Sequence, residues 1–525
     1  MLNGFARYAV ATSFAGMLAT SAGAQELITG QRTEPSMDPH FLWLTTNVMY
    51  NNHIYGGLVT LTDDAKFAPG LALSWKPIQP TVWEFKLRPG VKFHDGSDFT
   101  AEDVLFTIKR VPAVPNNPNP YTSQVRSIID MKIIDPLTVH LITDKPNPLL
   151  PGELTTIAVV SKKAVENATA ADFSSGKAAI GAGPYKFESY VPGDRLVVTR
   201  NENYYGTKPH WKKVTFRVMA NDAVRVAALR GGDVHVIDFL PPADAVALEK
   251  DPNVRVYKGP SDRTIYLVAE VGHEPNPYIT DKQGKPLPKN PLRDLRVRQA
   301  ISKAIDRQAM VSRVMGGMAI PASQVVAPGF LGHNKSLPVE KTDVEGAKKL
   351  LAEAGYPNGF GLTVHCPNDR YVNDGQICQA VGQMLARIGL EMKVDASPRS
   401  VFFTRTNPGK RDYALGLVGW GGASAPEATS LQILMHTLDR ATGLGNLNMG
   451  GYSNPELDRL VDPAIAIMDP AKRDEALQNA MVLAVKELPL IPLHYQVTIV
   501  GARKGFVAVP RYDEGFVAMS VRPEN

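Results

Sequence analysis

Strand patterns and helix patterns alternate along almost the whole chain, and this alternation limits the fold more than any other feature. Trp83, Phe85 and Leu87 alternate with polar residues, as in a half-buried strand. Thr100 and Asp103 then form a capping pair typical of a helix start. Such mixed order predicts an α/β protein. The 525 residues, 44% apolar and 21% charged, suit several globular domains rather than a coiled coil or a disordered chain.

Local signals predict where several elements begin, turn and end. Two strand patterns within 185–200 flank a Pro-Gly-Asp sequence and predict a hairpin. Thr342 and Glu345 form a second capping pair, so we predict that a helix starts there and ends at Gly355. An apolar stripe over 297–314 predicts another helix, with a pair of glycines after it as the stop signal.

Residues 1–24 differ from the rest of the chain and resemble a secretory signal peptide. Arg7 is their only charged residue, a weakly apolar stretch follows it, and Ala22 and Ala24 fit the small-x-small rule for cleavage. The apolar stretch is too short to span the ~30 Å hydrocarbon core of a bilayer. We therefore predict cleavage after Ala24, no lipid anchor, and a periplasmic protein of a Gram-negative cell.

The chain has two cysteines, Cys366 and Cys378. Export would place them in an oxidising compartment, where an even number of cysteines permits a disulfide. Cys366 ends a probable strand and Cys378 follows on the first turns of a helix pattern. The sequence leaves two alternatives open, a disulfide between them or two buried free thiols.

The search for catalytic and cofactor motifs gives no complete pattern. The segment 422–426 lacks the last glycine of a nucleophile elbow, and 181–183 lacks the third glycine of a dinucleotide loop. The eleven histidines are scattered, so we predict no metal site and no cofactor. The 57 basic and 52 acidic residues are dispersed, which argues against nucleic-acid binding.

Seven sequence blocks, in this order and spacing, resemble one family. They begin with LALSW and WEFKLRPG and end with LPLIPLHY, and they span residues 71–110, 181–209, 225–234, 295–307, 347–357, 451–461 and 488–495. The chain resembles the dipeptide, oligopeptide and nickel substrate-binding proteins of bacterial ABC importers, known as solute-binding family 5. The resemblance covers nearly all of residues 27–520.

The resemblance implies a two-lobed periplasmic-binding-protein fold of type II, in the large peptide-binding group, with an inserted α/β domain and a ligand cleft between the lobes. It implies the following boundaries: a signal peptide at 1–24, a discontinuous first lobe at 25–57, 182–270 and 488–525, an inserted domain at 58–181, and a second lobe at 271–487.

The implied function is the capture of a short peptide or peptide-like anion by hinge closure and its delivery to a membrane permease. The expected partners are that ligand and an ABC permease and ATPase complex at the inner membrane, and the protein is expected to be a monomer and not an enzyme. Within the same fold, a nickel-chelate or haem carrier is the alternative. A secreted hydrolase is an alternative of another class, which the incomplete motifs disfavour.

The glycine-rich segment 419–427 is the first candidate part of the ligand site. Glycines beside Trp420 would let the backbone approach a ligand, and the indole offers a flat apolar wall. Peptide-binding relatives carry an Asp here for the ligand's ammonium group, but the matching position is close to Ala423. This departure favours a ligand with a masked, distant or absent α-amine, such as a glutathione-like or opine-like compound. The candidate contacts in this segment are Trp420, Gly421, Gly422, Ser424 and Glu427.

Arg370 is the second candidate, because relatives use an Arg in this region to hold the ligand carboxylate and its fork suits bidentate binding. The alternative is that Arg370 pairs with Asp369 or Asp374. Tyr371 would stack on the ligand or donate a hydrogen bond to it. Trp43 and Thr45 are the candidates from the first lobe. Weaker candidates are Arg399 and Phe402.

Overall fold

The computed structural model describes residues 26–421 and 430–524. The strands in these ranges are short, apart from two long ones near the middle and the end of the chain. They are β1 (Glu26–Gln31), β2 (Gly56–Gly57), β3 (Val59–Leu61), β4 (Phe67–Pro69), β5 (Ala72–Gln79), β6 (Val82–Leu87), β7 (Ile128–Asp135), β8 (Thr138–Thr143), β9 (Ala158–Val159), β10 (Tyr185–Val191), β11 (Arg195–Arg200), β12 (Lys213–Val218), β13 (Val236–Ile237), β14 (Val254–Ala269), β15 (Ile279–Thr280), β16 (Ala319–Pro321), β17 (Gly361–Pro367), β18 (Glu391–Ser397), β19 (Leu415–Trp420), β20 (Leu490–Arg503), β21 (Phe506–Ala508) and β22 (Val521–Pro523).

Helices lie between these strands along the chain. They are α1 (Thr45–Ile54), α2 (Ala101–Arg110), α3 (Leu150–Glu153), α4 (Lys162–Val165), α5 (Ala170–Ser174), α6 (Asp222–Gly231), α7 (Pro242–Leu248), α8 (Leu295–Ala304), α9 (Arg307–Ala309), α10 (Val344–Glu353), α11 (Asp374–Ala386), α12 (Arg399–Thr406), α13 (Pro455–Ala464) and α14 (Pro470–Glu487). The order confirms the predicted α/β class.

The largest sheet has the strand order β10-β11-β12-β1-β13-β20-β14-β19-β17-β15, with β16 paired to β20 and β18 paired to β17. In one half, β1 runs parallel to β12 and β13. In the other half, β17 runs parallel to β18 and β19. The antiparallel pair of β14 and β20 lies between the two halves and connects them.

The pairing of β14 with β20 is irregular where the two halves meet. Its register shifts between Pro260 and Thr264 and again between Ile265 and Tyr266. Such bulges bend a strand and increase its twist, so the sheet changes direction at this crossing. Side chains from both halves are therefore brought to the same region.

Separate hydrophobic clusters fill the two halves. One cluster collects residues from 265–417 together with two residues of β20. Another collects residues from 27–236 together with residues from 500–521. A third cluster lies around the four-stranded sheet β5-β6-β8-β7 and α2. Two lobes and an additional unit thus have their own cores, whereas the exact boundaries between them stay a prediction.

Several local predictions are confirmed. Trp83, Phe85 and Leu87 are buried on one face of β6. At the start of α2, the N–H of Thr100 donates to Asp103 Oδ2 at 2.9 Å, which closes the predicted capping box. The predicted hairpin is formed by β10 and β11.

The predicted capping pair of α10 is wrong by one residue. The cap is Asp343, whose side chain accepts a hydrogen bond from the N–H of Gly346 at 2.8 Å. Thr342 instead donates its hydroxyl to the carbonyl of Ile305 at 3.3 Å. A tertiary contact therefore takes the hydroxyl that the local pattern assigned to the cap. The helix ends as predicted, with Gly355 following it at a φ of +93°.

The helix predicted over 297–314 is also wrong, because it is interrupted. The helix α8 ends at Ala304, and Ile305 is extended with a ψ of 117°. Asp306 then caps a new helical turn, its side chain accepting from the N–H of Ala309 at 2.8 Å. The apolar stripe continues across the break, so its periodicity did not reveal the break.

Candidate functional site

A cavity of about 530 Å³ lies where the two halves of the sheet meet. We call it the cleft cavity. Its walls come from the loop before α1, from β14, from the segment after β17, and from the end of β19. It brings together six residues that the sequence selected as candidates: Trp43, Thr45, Arg370, Tyr371, Trp420 and Gly421.

Arg370 follows β17 and has its backbone fixed by a carboxylate. Asp374 Oδ2 accepts hydrogen bonds from the backbone N–H groups of Arg370 and Tyr371, both at 2.9 Å. Asp369 accepts from the backbone N–H of Arg399 at 2.6 Å. Neither Asp369 nor Asp374 forms the ion pair with the Arg370 guanidinium that was the alternative prediction. Within residues 26–421 and 430–524, no carboxylate forms a salt bridge with this guanidinium.

The guanidinium of Arg370 lies 5.1 Å above the ring of Tyr371. Burial lowers the pKa of Arg370 from its usual value, and the positive charge of Arg263 lowers it further. Arg370 is half-buried, and a partly desolvated cation costs free energy unless an anion or a set of acceptors compensates it. The arrangement therefore favours an anionic group in the cleft cavity beside Arg370.

Tyr371 packs against the end of β19. Its hydroxyl donates to the carbonyl of Gly419 at 3.2 Å, so the backbone uses the hydrogen bond that we expected the ligand to receive. A Cβ on Gly419 would lie 2.8 Å from Tyr371 Cε1 and 2.6 Å from Ile265 Cδ1. The space left by this glycine is therefore occupied by protein.

Trp420 is half-buried at the end of β19 and forms one wall of the cleft cavity. Its Nε1 is buried and has no hydrogen-bond partner in the described part of the chain. A Cβ on Gly421 would lie 2.8 Å from Asp262 Oδ1 and 3.4 Å from Arg263 Nη2. Both glycines beside the tryptophan thus allow close packing of protein side chains. Gly421 also lines the cleft cavity, so the ligand contact expected of it stays a prediction.

The remaining candidates of the glycine-rich segment are Gly422, Ser424 and Glu427. They lie outside the described residues, as does Ala423. The prediction of ligand contacts for these positions is unchanged.

Trp43 and Thr45 come from the segment predicted to belong to the first lobe. The N–H of Trp43 donates to the carbonyl of Asn119 at 2.6 Å, and its ring lies 6.4 Å from that of Tyr121. Thr45 starts α1 and also lines a second cavity of about 320 Å³, together with Val48 and Met49 of the same helix. The loop that carries Trp43 is thus attached to the inserted unit.

The two weaker candidates lie elsewhere. Phe402 is only 1% exposed and belongs to a hydrophobic cluster, whereas its neighbour Phe403 lines the cleft cavity. Arg399 is absent from the described lining of the cavity. Helix periodicity in α12 gives no signal that separates Phe402 from Phe403.

Sequence reasoning missed Arg263, which lines the cleft cavity from β14. Its Nε donates to Glu514 Oε2 at 2.6 Å, across 251 residues of sequence. Ser261 and Gln496 also donate to Glu514. Burial raises the pKa of the Glu514 carboxyl, but Arg263 and these hydrogen bonds lower it more, so that pKa lies below its usual value. A lone Arg between Asp and Thr gave no motif that could have identified it.

Cys366 and Cys378 are joined by a disulfide in the structure, with their Cα atoms 6.6 Å apart. Both side chains are fully buried. The bond connects β17 to α11 and so spans the segment that carries Arg370. The oxidation state of the two residues in the isolated protein stays a prediction.

The described residues were also searched for metal ligands and membrane spans. In residues 26–421 and 430–524, no three His, Cys, Asp or Glu side chains come together as a ligand set. None of the helices in that part of the chain is long and apolar enough to cross a membrane.

Two lobes with a cavity at their crossing define the fold class of periplasmic binding proteins. Residues 66–441 match the family model described as "Bacterial extracellular solute-binding proteins, family 5 Middle". The chain belongs to this family, and it is a solute-binding protein of the ABC-importer type with the predicted two-lobed type II fold.

The chain is similar to named relatives over most of its length. It is 27% identical to the glutathione-binding protein GsiB of Escherichia coli (strain K12), over 92% of this chain and 91% of the relative. The structure of DppA from Helicobacter pylori in complex with peptide STSA superimposes with a TM-score of 0.77 at 23% identity, covering 95% and 98% of the two chains. NikZ from Campylobacter jejuni in complex with Ni(L-His) gives 0.77 at 21% identity, covering 93% and 96%.

Proposed function

We propose that this protein captures a short peptide or peptide-like anion in the cleft cavity and delivers it to an ABC importer. The observation that carries the proposal is the half-buried guanidinium of Arg370, which has no salt-bridge partner among the described residues and lines the cavity. A carboxylate is the group that best fits such a fork, because two parallel N–H···O bonds can form at once.

Other groups of the cavity would complete the recognition. The unpartnered Nε1 of Trp420 would donate to a ligand carbonyl, and its indole would cover an apolar part of the ligand. Trp43 and Thr45 would contact the ligand from the first lobe. Because contacts from both lobes are made only when the cleft is closed, the ligand shifts the equilibrium towards closure.

The proposed lobes follow the boundaries predicted from the sequence. The first lobe comprises 25–57, 182–270 and 488–525, the inserted domain 58–181, and the second lobe 271–487. The crossing strands β14 and β20, with their irregular register, support a hinge at this place. We propose that the protein acts as a monomer and that its closed form docks on the permease of a permease and ATPase complex.

Export and the absence of chemistry belong to the same proposal. The segment 1–24 would direct the chain to the periplasm and be removed after Ala24. The ligand would be released unmodified. Native mass spectrometry of the protein isolated from its own periplasm tests both points, because it reports the mass of the mature chain and of an intact ligand.

The likeness to the glutathione-binding protein favours a peptide-like anion whose amine lies far from the carboxylate held by Arg370. The likeness to a structure with Ni(L-His) keeps a nickel chelate as the second candidate. Metal analysis of the untagged protein separates them, since a stoichiometric metal would support the chelate carrier.

The test of the leading proposal is Arg370→Ala, measured by calorimetry against glutathione and dipeptides. The loss of a desolvated charge partner should weaken binding by roughly 2–5 kcal/mol. Arg399→Ala is the matched control, because Arg399 is near but does not line the cavity and its backbone hydrogen bond to Asp369 would persist. An Arg370→Ala affinity equal to that of the unmodified protein would remove Arg370 from the site.

A further inference from the structure

Arg263 is a second arginine of the cleft cavity with unused hydrogen-bond donors. Its side chain is 12% exposed, and its Nε donates to Glu514. Its Nη1 and Nη2 groups make no hydrogen bond within the described part of the chain. A guanidinium carries five N–H donors, so four of those of Arg263 remain available.

Arg263 and Arg370 both line the cleft cavity together with the end of β19. Gly419 of β19 is paired with Ile265 of β14, and Gly421 directly follows the last residue of β19, Trp420, which is paired with Thr264. Tyr371, on which Arg370 lies, fills the space beside Gly419, and Arg263 Nη2 lies 3.4 Å from the position of a Cβ on Gly421. Both arginines therefore lie beside the end of β19 on one cavity, close enough for the charge of Arg263 to lower the pKa of Arg370.

We propose that Arg263 and Arg370 form a two-guanidinium subsite that binds a single carboxylate of the ligand, with each arginine donating to one of its two oxygens. The proposal rests on the proposed function, because it assumes that the cleft cavity receives an anion. It adds the requirement that the ligand present a free carboxylate at the end of β19. A ligand with a carboxamide in that position should be a poor competitor, since an amide NH₂ meets only donors there.

Glu514 is a positioning residue in this subsite. It accepts a hydrogen bond from Nε of Arg263. Glu514 is itself held by the hydroxyl of Ser261, which donates to it at 2.8 Å, and by a short hydrogen bond from the side-chain amide of Gln496. Its carboxylate neutralises Arg263 without occupying the Nη groups. The ligand carboxylate would therefore contact two guanidinium groups. Because Glu514 neutralises Arg263, the net positive charge of the subsite comes from Arg370.

The experiment compares a carboxylate probe with its carboxamide. Glutathione and Ala-Ala are titrated by calorimetry, each beside its C-terminal amide, with the unmodified protein, Arg263→Gln and Arg370→Ala. For the probe that binds, Arg263→Gln should weaken the acid by roughly 10- to 100-fold, the range for hydrogen bonds to a charged group. The affinity for the amide should stay nearly unchanged, so the ratio of the acid affinity to the amide affinity should fall. Arg255 also lies on β14 but outside the described lining of the cavity, so Arg255→Gln should change neither the affinity for the acid nor that for the amide.

Three further readouts make the result decisive. Arg263→Lys keeps a charge beside Glu514 but loses the fork. It should therefore restore any stability lost in Arg263→Gln but should not restore the affinity for the acid. In the double variant of Arg263 and Arg370, the combined loss should be smaller than the product of the single losses, because both contact the same group. Glu514→Gln should lower the affinity for the acid less than Arg263→Gln does.

The outcomes separate this inference from the proposed function. A loss with Arg370→Ala but none with Arg263→Gln overturns the two-arginine subsite and leaves the proposed function standing. Equal losses of acid and amide with Arg263→Gln assign Arg263 a purely structural role and also overturn it. If neither the acids nor the amides bind the unmodified protein, the proposed peptide-like anion itself is wrong, and the subsite with it.

Discussion

Replacing Gly419 by alanine tests the packing that supports Arg370. The added Cβ would lie 2.6 Å from Ile265 Cδ1 and 2.8 Å from Tyr371 Cε1. Ile265 can move its terminal methyl, but the ring of Tyr371 is held by its hydrogen bond to Gly419. Overpacking of this kind costs about 1–3 kcal/mol. If the ring moves enough to break its hydrogen bond, a further cost of about 1 kcal/mol is expected.

The same substitution should weaken ligand binding, because the guanidinium of Arg370 lies on the displaced ring. The free energy of unfolding is measured by urea denaturation, and the affinity by calorimetry with the probe that binds. Gly375→Ala is the matched control: it adds the same methyl group to the first turn of α11, where a Cβ would meet nothing within 4 Å.

The control should be neutral or slightly stabilising, because alanine replaces glycine in a helix. If Gly419→Ala behaves like Gly375→Ala in both assays, the strand end is not packed as described and the argument that joins Tyr371 to the site fails. A loss of stability with an unchanged affinity would show that the ring of Tyr371 does not position Arg370.

Two other predictions concern stability. Replacing Cys366 and Cys378 by serine should remove roughly 3 kcal/mol from the free energy of unfolding, as expected for a short loop in the chain-entropy model; two reactive thiols in an Ellman titration of the denatured, unreduced protein would contradict the disulfide. Burial raises the pKa of Glu153 to about 7, so its contribution to stability is present at low pH and is lost as the pH rises from the unfolded-state value through 7. Glu153→Gln should therefore stabilise the protein at pH 8 and have little effect at pH 4, as measured by urea denaturation; an equal effect at both values would refute the shifted pKa.

Short-range signals predicted much of the secondary structure. The alternation around Phe85 and the capping pair of Thr100 and Asp103 depend on neighbours within one element, and the structure reproduces both. The same reasoning failed at Thr342, because the carbonyl of Ile305, 37 residues earlier, competes for its hydroxyl. A capping pattern identifies a residue that can cap, and tertiary contacts decide which candidate does.

The candidate site was predicted in part. Its residues were selected from the family resemblance and from side-chain chemistry, whereas the helices and strands were predicted from periodicity. The resemblance to a family pointed to Arg370 and Trp43, and residue chemistry pointed to Trp420; all three line one cavity. Residue chemistry alone assigned the glycines beside Trp420 to the ligand, whereas the structure has their open faces covered by Tyr371 and Asp262. Whether a glycine makes room for a ligand or for a side chain depends on elements far away in sequence.

Arg263 and Glu514 show why the remainder of such a site is not visible in a sequence. Their contact spans 251 residues and forms where the segment after β21 lies beside β14, with the N–H of Asp262 donating to the carbonyl of Tyr512 at 2.9 Å. Since the strand register shifts beside Arg263, the position that points into the cavity cannot be obtained by counting alternate residues. The register shift that turns Arg263 into the cleft cavity thus lies at the place where we propose the hinge, so the proposed closure and the proposed ligand recognition would depend on the same irregular strand pair.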